Sequence, residues 1–293
     1  MPQRSSMPRW TELRIDDAAA ARVNTRRIAA LPMYDFPELE TAHDELWSAI
    51  RTHLIAAAVA ETPERLTHRA DHVATWTDPL LLLGQGCEYP LAKFHAHHVR
   101  LVATPRYTAP GCGGAGYRSA IVVRADDTAE TLSDLRDRRC VINEPDSNSG
   151  MNLLRASIAR LARGARFFDS IVQSGSHRNS VRMVAHGEAD VAAVDCVSFA
   201  HFQRLYPEST APLRILSWTA ATPSLPFITA AATSDSDLQK LRASLAAVVA
   251  DRRLDAVRER LFLAGFDLQP AAGFAEVLQL EREAAELGYP QLR

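Results

Sequence analysis

The sequence lacks long apolar runs and a surplus of charge of either sign. No apolar stretch approaches the roughly 20 residues that a transmembrane helix needs, so we predict no insertion into a membrane. The 33 Lys and Arg residues and the 35 Asp and Glu residues leave a formal net charge of −2. Because nucleic-acid binding relies on basic surplus, this balance disfavours a nucleic acid as partner. With 293 residues, of which 47% are hydrophobic, the chain has the composition of a globular α/β protein.

Cysteine is scarce and shows none of the spacings of a zinc site. The four cysteines are Cys87, Cys112, Cys140 and Cys196, and no two of them form a CxxC motif. Cys87 and Cys112 both lie in Gly-rich segments, "GQGCEYP" and "PGCGGAGY". A disulfide between these two would fit an oxidising compartment, whereas two unpaired thiols are the favoured alternative.

Motifs of catalysis and of cofactor binding are missing as well. The sequence contains no GxSxG, HExxH, P-loop or Gly-rich dinucleotide motif, so it predicts no catalytic residue and no cofactor. His95, His97 and His98 occur together in "FHAHH". Because no carboxylate or cysteine stands beside them at ligand spacing, we predict no metal site there.

The start of the sequence lacks the apolar core of a secretory signal. Residues 1–27 are charged throughout, and residues 1–25 are predicted to form a flexible arm. As the sequence stands, this pattern predicts a cytoplasmic protein. A leader missing from this sequence would instead make the protein periplasmic.

From residue 27 onward, strand-like apolar runs alternate with helical segments. The segment 38–60, for example, places Leu46, Trp47 and Ile50 on one helical stripe. Alternation of this kind is typical of βαβ units with parallel strands. It therefore predicts an α/β fold.

The order of the segments predicts two lobes. Lobe 1 combines residues 26–118 with residues 222–293, and lobe 2, residues 119–221, is inserted into it. Two crossing segments would join the lobes as a hinge, and the cleft between the lobes is the natural ligand site. Within this scheme the segment 131–139 is predicted to be a helix, and the chain from Ser236 onward is predicted to be helical with no further strand.

A row of small polar residues, Asp146-Ser147-Asn148-Ser149-Gly150, precedes a helical pattern. Ser and Asn side chains cap helices, and a glycine lets another group approach the backbone closely. The first turn of a helix has unpaired N–H groups and a partial positive charge, both of which favour an oxyanion. A capped helix without a ligand is the alternative interpretation of this local pattern.

A second stretch repeats the design. A strand-like run leads into Ser174-Gly175-Ser176-His177 and then into another helical pattern. His177 falls at the start of that helix, where its ring N–H can donate to an anion; taken alone, a structural or surface histidine is the favoured interpretation. Two such helix entrances in one predicted lobe favour capture of an anion.

Four segments, in this order, resemble the phosphate, phosphite and phosphonate solute-binding proteins of ABC importers. They are "YRSAIVVR", "LSDLRDRRCVINEPDSNSG", "SGSHRNSVRMVAHGEADVAAVD" and "SLPFITA". The resemblance covers about residues 27–235 and is strongest over residues 117–228. It implies the two-lobed type 2 periplasmic-binding fold, with mixed or parallel sheets flanked by helices and a hinge of two crossing segments. It also implies a small oxyanion ligand, a transporter permease as partner and no catalytic turnover.

The resemblance further implies which residues bind the ligand. The Ser-rich element of the family maps onto Ser147, Asn148 and Ser149, and its Gly-x-His element makes His177 a donor to the ligand. The other implied ligand-binding residues are Tyr117 in the first crossing strand, Asp195 after the strand "DVAA", and Tyr34, Gln85 and Tyr89 in the lobe that closes over the ligand.

Two departures from the family pattern bear on the ligand. Asn148 stands where the family has Thr, and Glu144 and Asp146 add negative charge beside the anion site. A zwitterionic ligand would reconcile these acids with the site, because its ammonium could face Asp195 or Glu144 while its oxyanion sits on the helix entrances. The alternative functions are a cytosolic enzyme of cofactor biosynthesis on the same fold and a cytosolic ligand sensor.

Overall fold

The fold is described by a computed structural model that covers residues 26–268 and 274–293. The arm predicted for residues 1–25 lies outside this range. In chain order, the strands are β1 (Ile28–Ala30), β2 (Leu81–Gln85), β3 (Val99–Tyr107), β4 (Gly116–Tyr117), β5 (Ser119–Arg124), β6 (Arg139–Ile142), β7 (Ser170–Gln173), β8 (Val191–Asp195), β9 (Leu213–Trp218), β10 (Thr222–Pro223), β11 (Phe227–Ala230) and β12 (Leu263–Asp267). The helices are α1 (Glu40–Ala56), α2 (His72–Thr77), α3 (Glu88–Pro90), α4 (Leu153–Ala162), α5 (His177–Ala185), α6 (Cys196–Leu205), α7 (Pro207–Thr210), α8 (Asp235–Ala250), α9 (Asp255–Arg260) and α10 (Phe274–Glu286).

The first sheet has the strand order β1-β2-β11-β3-β12. β1 and β2 are parallel, whereas β11 runs antiparallel between β2 and β3, and β12 runs antiparallel to β3. Every residue of β2 is buried, as expected of a strand that is covered on both faces. This sheet therefore combines strands from both ends of the described chain.

The second sheet has the order β7-β6-β8-β5-β9 and uses strands from the middle of the chain. β6 is parallel to both β7 and β8, whereas β5 is antiparallel to both β8 and β9. The sheets are thus mixed and flanked by helices, and the predicted α/β class is confirmed.

A short two-stranded ribbon connects the regions of the two sheets. β4 and β10 pair antiparallel, with Tyr117 opposite Thr222 and Gly116 opposite Pro223. The chain therefore passes from the first sheet to the second and back through two segments that are hydrogen-bonded to each other. We call β4 and β10 the hinge ribbon.

Helix α1 shows why the predicted helical stripe folds as it does. Leu46, Trp47, Ile50 and Leu54 are at most 2% exposed and belong to the largest apolar core, against which α8 also packs. Burying each such side chain contributes about 1.5–3 kcal/mol relative to leaving it in water. The predicted helix over 38–60 is confirmed, with its ends at Glu40 and Ala56.

Two sequence-based expectations about secondary structure were wrong. The segment 131–139 forms a single 3-10 turn, Leu132–Leu135, because Arg136 is extended; Asp137 then adopts a left-handed conformation (φ 61°) and the chain enters β6. The tail after Ser236 contains the strand β12, which pairs with the second half of β3. β12 is short and lies between helices, so its local sequence pattern does not indicate a strand. It becomes a strand through its pairing with β3.

Helix α10 packs on the second sheet's side of the molecule. Val277, Ala284 and Tyr289 belong to the same core cluster as residues of β5, β6 and α4, and α10 also contacts α3. The sequence assigned these C-terminal residues to lobe 1. The lobe boundaries stay a prediction, but the packing joins the last helix to α4.

Membrane-spanning helices and metal-binding clusters are both absent from the described residues. No helix in this part of the chain combines the length and the apolar character needed to cross a bilayer. Within residues 26–268 and 274–293, no three His, Cys, Asp or Glu side chains are arranged to hold a metal ion.

Candidate ligand-binding cleft

A cleft of about 450 Å³ is lined by residues from both sheet regions. Five of the predicted site residues line it: Tyr34, Ser147, Ser149, His177 and Asp195. The remaining four, Asn148, Tyr117, Gln85 and Tyr89, do not belong to its lining. The structure therefore brings together the two predicted helix entrances and Asp195, the acid at the end of β8.

The first helix entrance is built by the loop that follows β6. Ser147 caps the helix, because its Oγ accepts a hydrogen bond from the backbone N–H of Gly150 at 3.0 Å. The chain then makes one wide turn, Asn148–Asn152, before α4 begins. The hydroxyl oxygens of Ser147 and Ser149 lie 3.4 Å apart, and both side chains face the cleft.

Gly150 allows a close approach that no other residue would permit without a shift. A Cβ at this position would overlap Oδ1 of Asn143, another residue of the cleft wall. The missing side chain thus lets Asn143 pack directly against the helix entrance. This is the physical use of the glycine that the sequence pattern indicated.

The second helix entrance brings His177 to the first. Ser176 caps α5 by accepting a hydrogen bond from the N–H of Asn179, and His177 is the first residue of the helix. The ring Nε2 of His177 lies 2.8 Å from Oγ of Ser149. Burial lowers the pKa of His177 to about 4, so the ring is neutral at pH 7. The ring and the two serines therefore form one polar surface.

Asp195 lies at the end of β8 and contacts both sides of the cleft. Its Oδ1 accepts from the N–H of Ser198 at 2.8 Å and caps α6, while its Oδ2 accepts from the hydroxyl of Tyr34 at 3.0 Å. Burial raises the pKa of Asp195 to about 6. Asp195 therefore titrates near neutral pH, in contact with a residue of the opposite sheet region.

Asn148 and Tyr117 meet behind the cleft. The Asn148 amide nitrogen donates to the Tyr117 hydroxyl and to Oγ1 of Thr222, each at 3.1 Å, and its oxygen accepts from Asn152 at 2.9 Å. Asn148 and Tyr117 are fully buried. The polar groups of both side chains already have hydrogen-bond partners within the protein. The geometry therefore assigns Asn148 and Tyr117 a structural role, which is to connect the loop 146–150 to the hinge ribbon, rather than contact with a ligand.

We expect Asn148→Ala to lower the free energy of unfolding by about 2–3 kcal/mol, since it leaves buried hydroxyl and amide groups without partners. Urea denaturation measures this change. Asn179→Ala is the matched control, because the Asn179 side chain is exposed and its amide donates to the Ser174 carbonyl. Equal losses in the two variants would contradict the junction described here.

Gln85 and Tyr89 also lie outside the cleft surface, for the same reason. The amide of Gln85 donates to the Tyr107 hydroxyl and the Leu225 carbonyl, and the hydroxyl of Tyr89 accepts from Lys93. Their loop does reach the cleft, but through other side chains, those of Cys87 and Pro90.

Sequence reasoning missed a second wall of the cleft. His72 and Trp76 stack on each other on α2, with ring centroids 6.0 Å apart, and both line the cleft together with Asp71. Arg178 lines it from the other side and lies 4.3 Å over the ring of Tyr206. Arg178 directly follows the predicted His177, but α2 had no signal in the sequence beyond a single Asp cap.

The cleft has more acidic than basic side chains. Its carboxylates belong to Asp71, Glu144, Asp146 and Asp195, and its one guanidinium belongs to Arg178. The two histidines of the lining, His72 and His177, have their pKa lowered by burial. The surface that receives a ligand therefore offers polar hydroxyls at the helix entrances and negative charge around them.

Two sheet regions, joined by a hydrogen-bonded ribbon and separated by a polar cleft, define the class of two-lobed periplasmic binding proteins. Residues 28–272 match the family described as "ABC transporter, phosphonate, periplasmic substrate-binding protein". The chain belongs to this family. The resemblance predicted from the sequence, the two-lobed fold and the solute-binding function are thereby confirmed, and the family implies a small ligand and a permease as partners.

Several solved structures share this fold. XAC2383 from Xanthomonas citri, bound to chloride ion, is 15% identical, with a TM-score of 0.69 over 90% of this chain and 98% of that one. A binding protein component of an ABC phosphonate transporter from Pseudomonas aeruginosa is 15% identical, with a TM-score of 0.68 over 89% of this chain and 88% of that one. PhnD1 from Prochlorococcus marinus, in complex with methylphosphonate, is 12% identical, with a TM-score of 0.67 over 90% of this chain and 100% of that one. No curated protein sequence matches the chain.

Proposed function

We propose that the protein acts in the periplasm. There it reversibly binds, in the cleft, a small ligand that carries a phosphonate-like oxyanion, and it delivers this ligand to an ABC permease. The observation that supports this best is the meeting of the two helix entrances, where Ser149 lies 2.8 Å from His177 and 3.4 Å from Ser147. Hydroxyl donors at helix entrances stabilise an oxyanion. A ligand that contacts both sheet regions favours the closed arrangement, because only that arrangement offers all of the contacts.

We propose further that the ligand is zwitterionic. An oxyanion alone would meet four carboxylates in the cleft lining and only one guanidinium. An ammonium group on the same ligand would offset this repulsion by facing Asp195, which lies on the cleft wall and bonds to Tyr34 from the opposite side. The proposed ligand class is therefore an aminoalkyl phosphonate.

The pH dependence of binding tests the ammonium contact. An ammonium stabilises the ionised form of Asp195, so the pKa of Asp195 falls below about 6 in the complex. Below pH 6 binding must then release a proton. We expect the affinity for aminoethylphosphonate, divided by that for ethylphosphonate, to fall by up to about tenfold per pH unit as the pH drops below 6.

Calorimetric titration of both ligands from pH 4.5 to 6 measures this ratio in the range where both phosphonate groups are mainly monoanions, so that their own titration largely cancels. Asp195→Asn keeps an oxygen that can accept from Ser198 and should make the ratio independent of pH. A ratio that stays flat or rises on acidification in the unmodified protein would rule out an ammonium beside Asp195.

The oxyanion assignment itself is tested by calorimetry with methylphosphonate, inorganic phosphate, acetate and an uncharged amide. We expect the phosphorus oxyanions to bind and the amide not to bind. Recovery of the bound ligand unaltered after prolonged incubation separates a binding protein from an enzyme, because an enzyme would convert it. A converted ligand would overturn the proposed function.

A further inference from the structure

We propose that Cys112 and Cys196 form a disulfide that fastens the connection between β3 and β4 to the start of α6. Their sulfur atoms lie 3.4 Å apart, with both residues as free thiols. On sequence, two unpaired thiols are the favoured interpretation of Cys87 and Cys112, and a disulfide between these two is the alternative. In the structure, however, Cys87 Sγ accepts a hydrogen bond from the backbone N–H of Asn148 on the cleft side.

The backbone on both sides of the thiol pair is fixed. The N–H of Cys112 donates to the Ala109 carbonyl at 3.0 Å, and the N–H of Cys196 donates to the Arg118 carbonyl at 3.1 Å. Gly111, with a φ of 96°, makes the approach possible: a Cβ there would lie 2.5 Å from the Trp218 ring and 2.9 Å from Cβ of Cys196. The glycine therefore lets the connection pack directly on the helix that carries the second thiol.

The two thiols differ in access, which sets the order of the chemistry. Cys112 is partly exposed, whereas Cys196 is buried in the largest apolar core. An oxidant therefore reaches Cys112 first, and Cys196 resolves the intermediate from inside. The hydrogen bond with Cys112, burial and the neighbouring Asp195 carboxyl raise the pKa of Cys196, so its thiolate is scarce before the exchange begins.

The reaction is thiol–disulfide exchange with a small or protein disulfide as oxidant. The thiolate of Cys112 attacks one sulfur of the oxidant and releases the other as a thiol. The thiolate of Cys196 then attacks the sulfur of Cys112 and releases the second thiol. Two protons leave the cysteines, two electrons pass to the oxidant, and one disulfide becomes two thiols.

The crosslink would act at the hinge. Cys112 lies just before β4 of the hinge ribbon, and Cys196 directly follows Asp195, the acid of the cleft wall. The bond would close a loop that contains β4 to β8, and a long closed loop restricts the unfolded chain strongly. We expect oxidation to raise the melting temperature by roughly 5–10 °C.

The experiment treats the folded protein with oxidised glutathione, removes the excess, unfolds the protein in denaturant and then alkylates the remaining thiols, so that buried cysteines are counted as well. Intact mass counts the alkylated cysteines, and peptide mapping without reduction identifies the linked pair. We expect two alkylated cysteines instead of four, with a peptide that joins Cys112 to Cys196. The link should persist in Cys87→Ser and be lost in Cys112→Ser and in Cys196→Ser.

Four alkylated cysteines after treatment, or a link that includes Cys87, would overturn the proposal. Peptide mapping of the unmodified protein gives this answer even if a buried substitution such as Cys196→Ser impairs folding. The ligand titrations above do not depend on the crosslink, so the two proposals fail separately.

Discussion

Replacing Ser147 and Ser149 together by alanine is expected to weaken methylphosphonate binding roughly 100-fold. Each hydroxyl is positioned to donate to a charged oxyanion, and a hydrogen bond of this kind contributes about 1.5 kcal/mol or more. Both side chains are buried at the helix entrance, at 6% and 5% exposure, so water cannot easily replace the missing donors. Calorimetric titration of the double variant measures the loss directly.

The substitution of Ser147 also removes the helix cap, which costs about 1 kcal/mol of stability. Ser157→Ala is the control for general effects on α4, because the Ser157 hydroxyl donates to the Leu153 carbonyl outside the cleft. We expect Ser157→Ala to leave the affinity unchanged. A double variant that binds as tightly as the unmodified protein would refute the assignment of the first helix entrance as the oxyanion site.

The largest effect on stability is expected for Tyr289→Ala, at about 3–5 kcal/mol. Tyr289 is fully buried among residues of the second sheet's core, and its hydroxyl accepts from the backbone N–H of Arg293 at 2.9 Å. The carbonyl of Arg293 in turn accepts from the N–H of Phe167 at 2.7 Å. Loss of the ring leaves a cavity and releases this C-terminal anchor.

Chemical denaturation of Tyr289→Ala and Leu287→Ala tests the anchor. Leu287 lies two residues away but is 37% exposed, and its substitution should cost no more than about 0.5 kcal/mol. Tyr289→Phe separates the ring from the hydroxyl and should fall between the two. If Tyr289→Ala were no more harmful than Leu287→Ala, the packing of the last residues on the second sheet would be wrong.

The parts of the fold that were predictable from sequence are those with a strong local pattern, either a helical period or an uninterrupted apolar run. The stripe of α1 and the continuous apolar runs of β2 and β8 each match the burial they have in the structure. β12 was missed because its five residues become a strand only by pairing with β3, which is distant in sequence. The helix predicted over 131–139 does not form, because Arg136 is extended directly after the first turn and Asp137 is left-handed.

The residues of the candidate site were predictable where a helix-capping motif faces the cleft. They were not predictable where a polar side chain can hydrogen-bond to other protein groups instead of facing the cleft. Ser147, Ser149 and His177 followed from helix entrances, whose N–H groups need acceptors in any fold. Asn148 belongs to the same loop, yet its amide turns to Tyr117 and Thr222. The direction of the Asn148 side chain depends on the position of the hinge ribbon. No sequence pattern near Asn148 indicates where that ribbon lies.

The Asn148 amide joins the loop at the first helix entrance directly to the hinge ribbon. Tyr117 and Thr222 are opposite each other in the hinge ribbon, and one nitrogen of Asn148 donates to both. If either sheet rotates about the hinge ribbon, the loop that carries Ser147 and Ser149 must keep its position relative to the ribbon. Otherwise Asn148 loses its hydrogen bonds to Tyr117 and Thr222. A single side chain thus connects the proposed oxyanion-binding loop to the hinge ribbon. In the proposed closure on a ligand, the loop and the hinge are coupled through this side chain and not through the packed core.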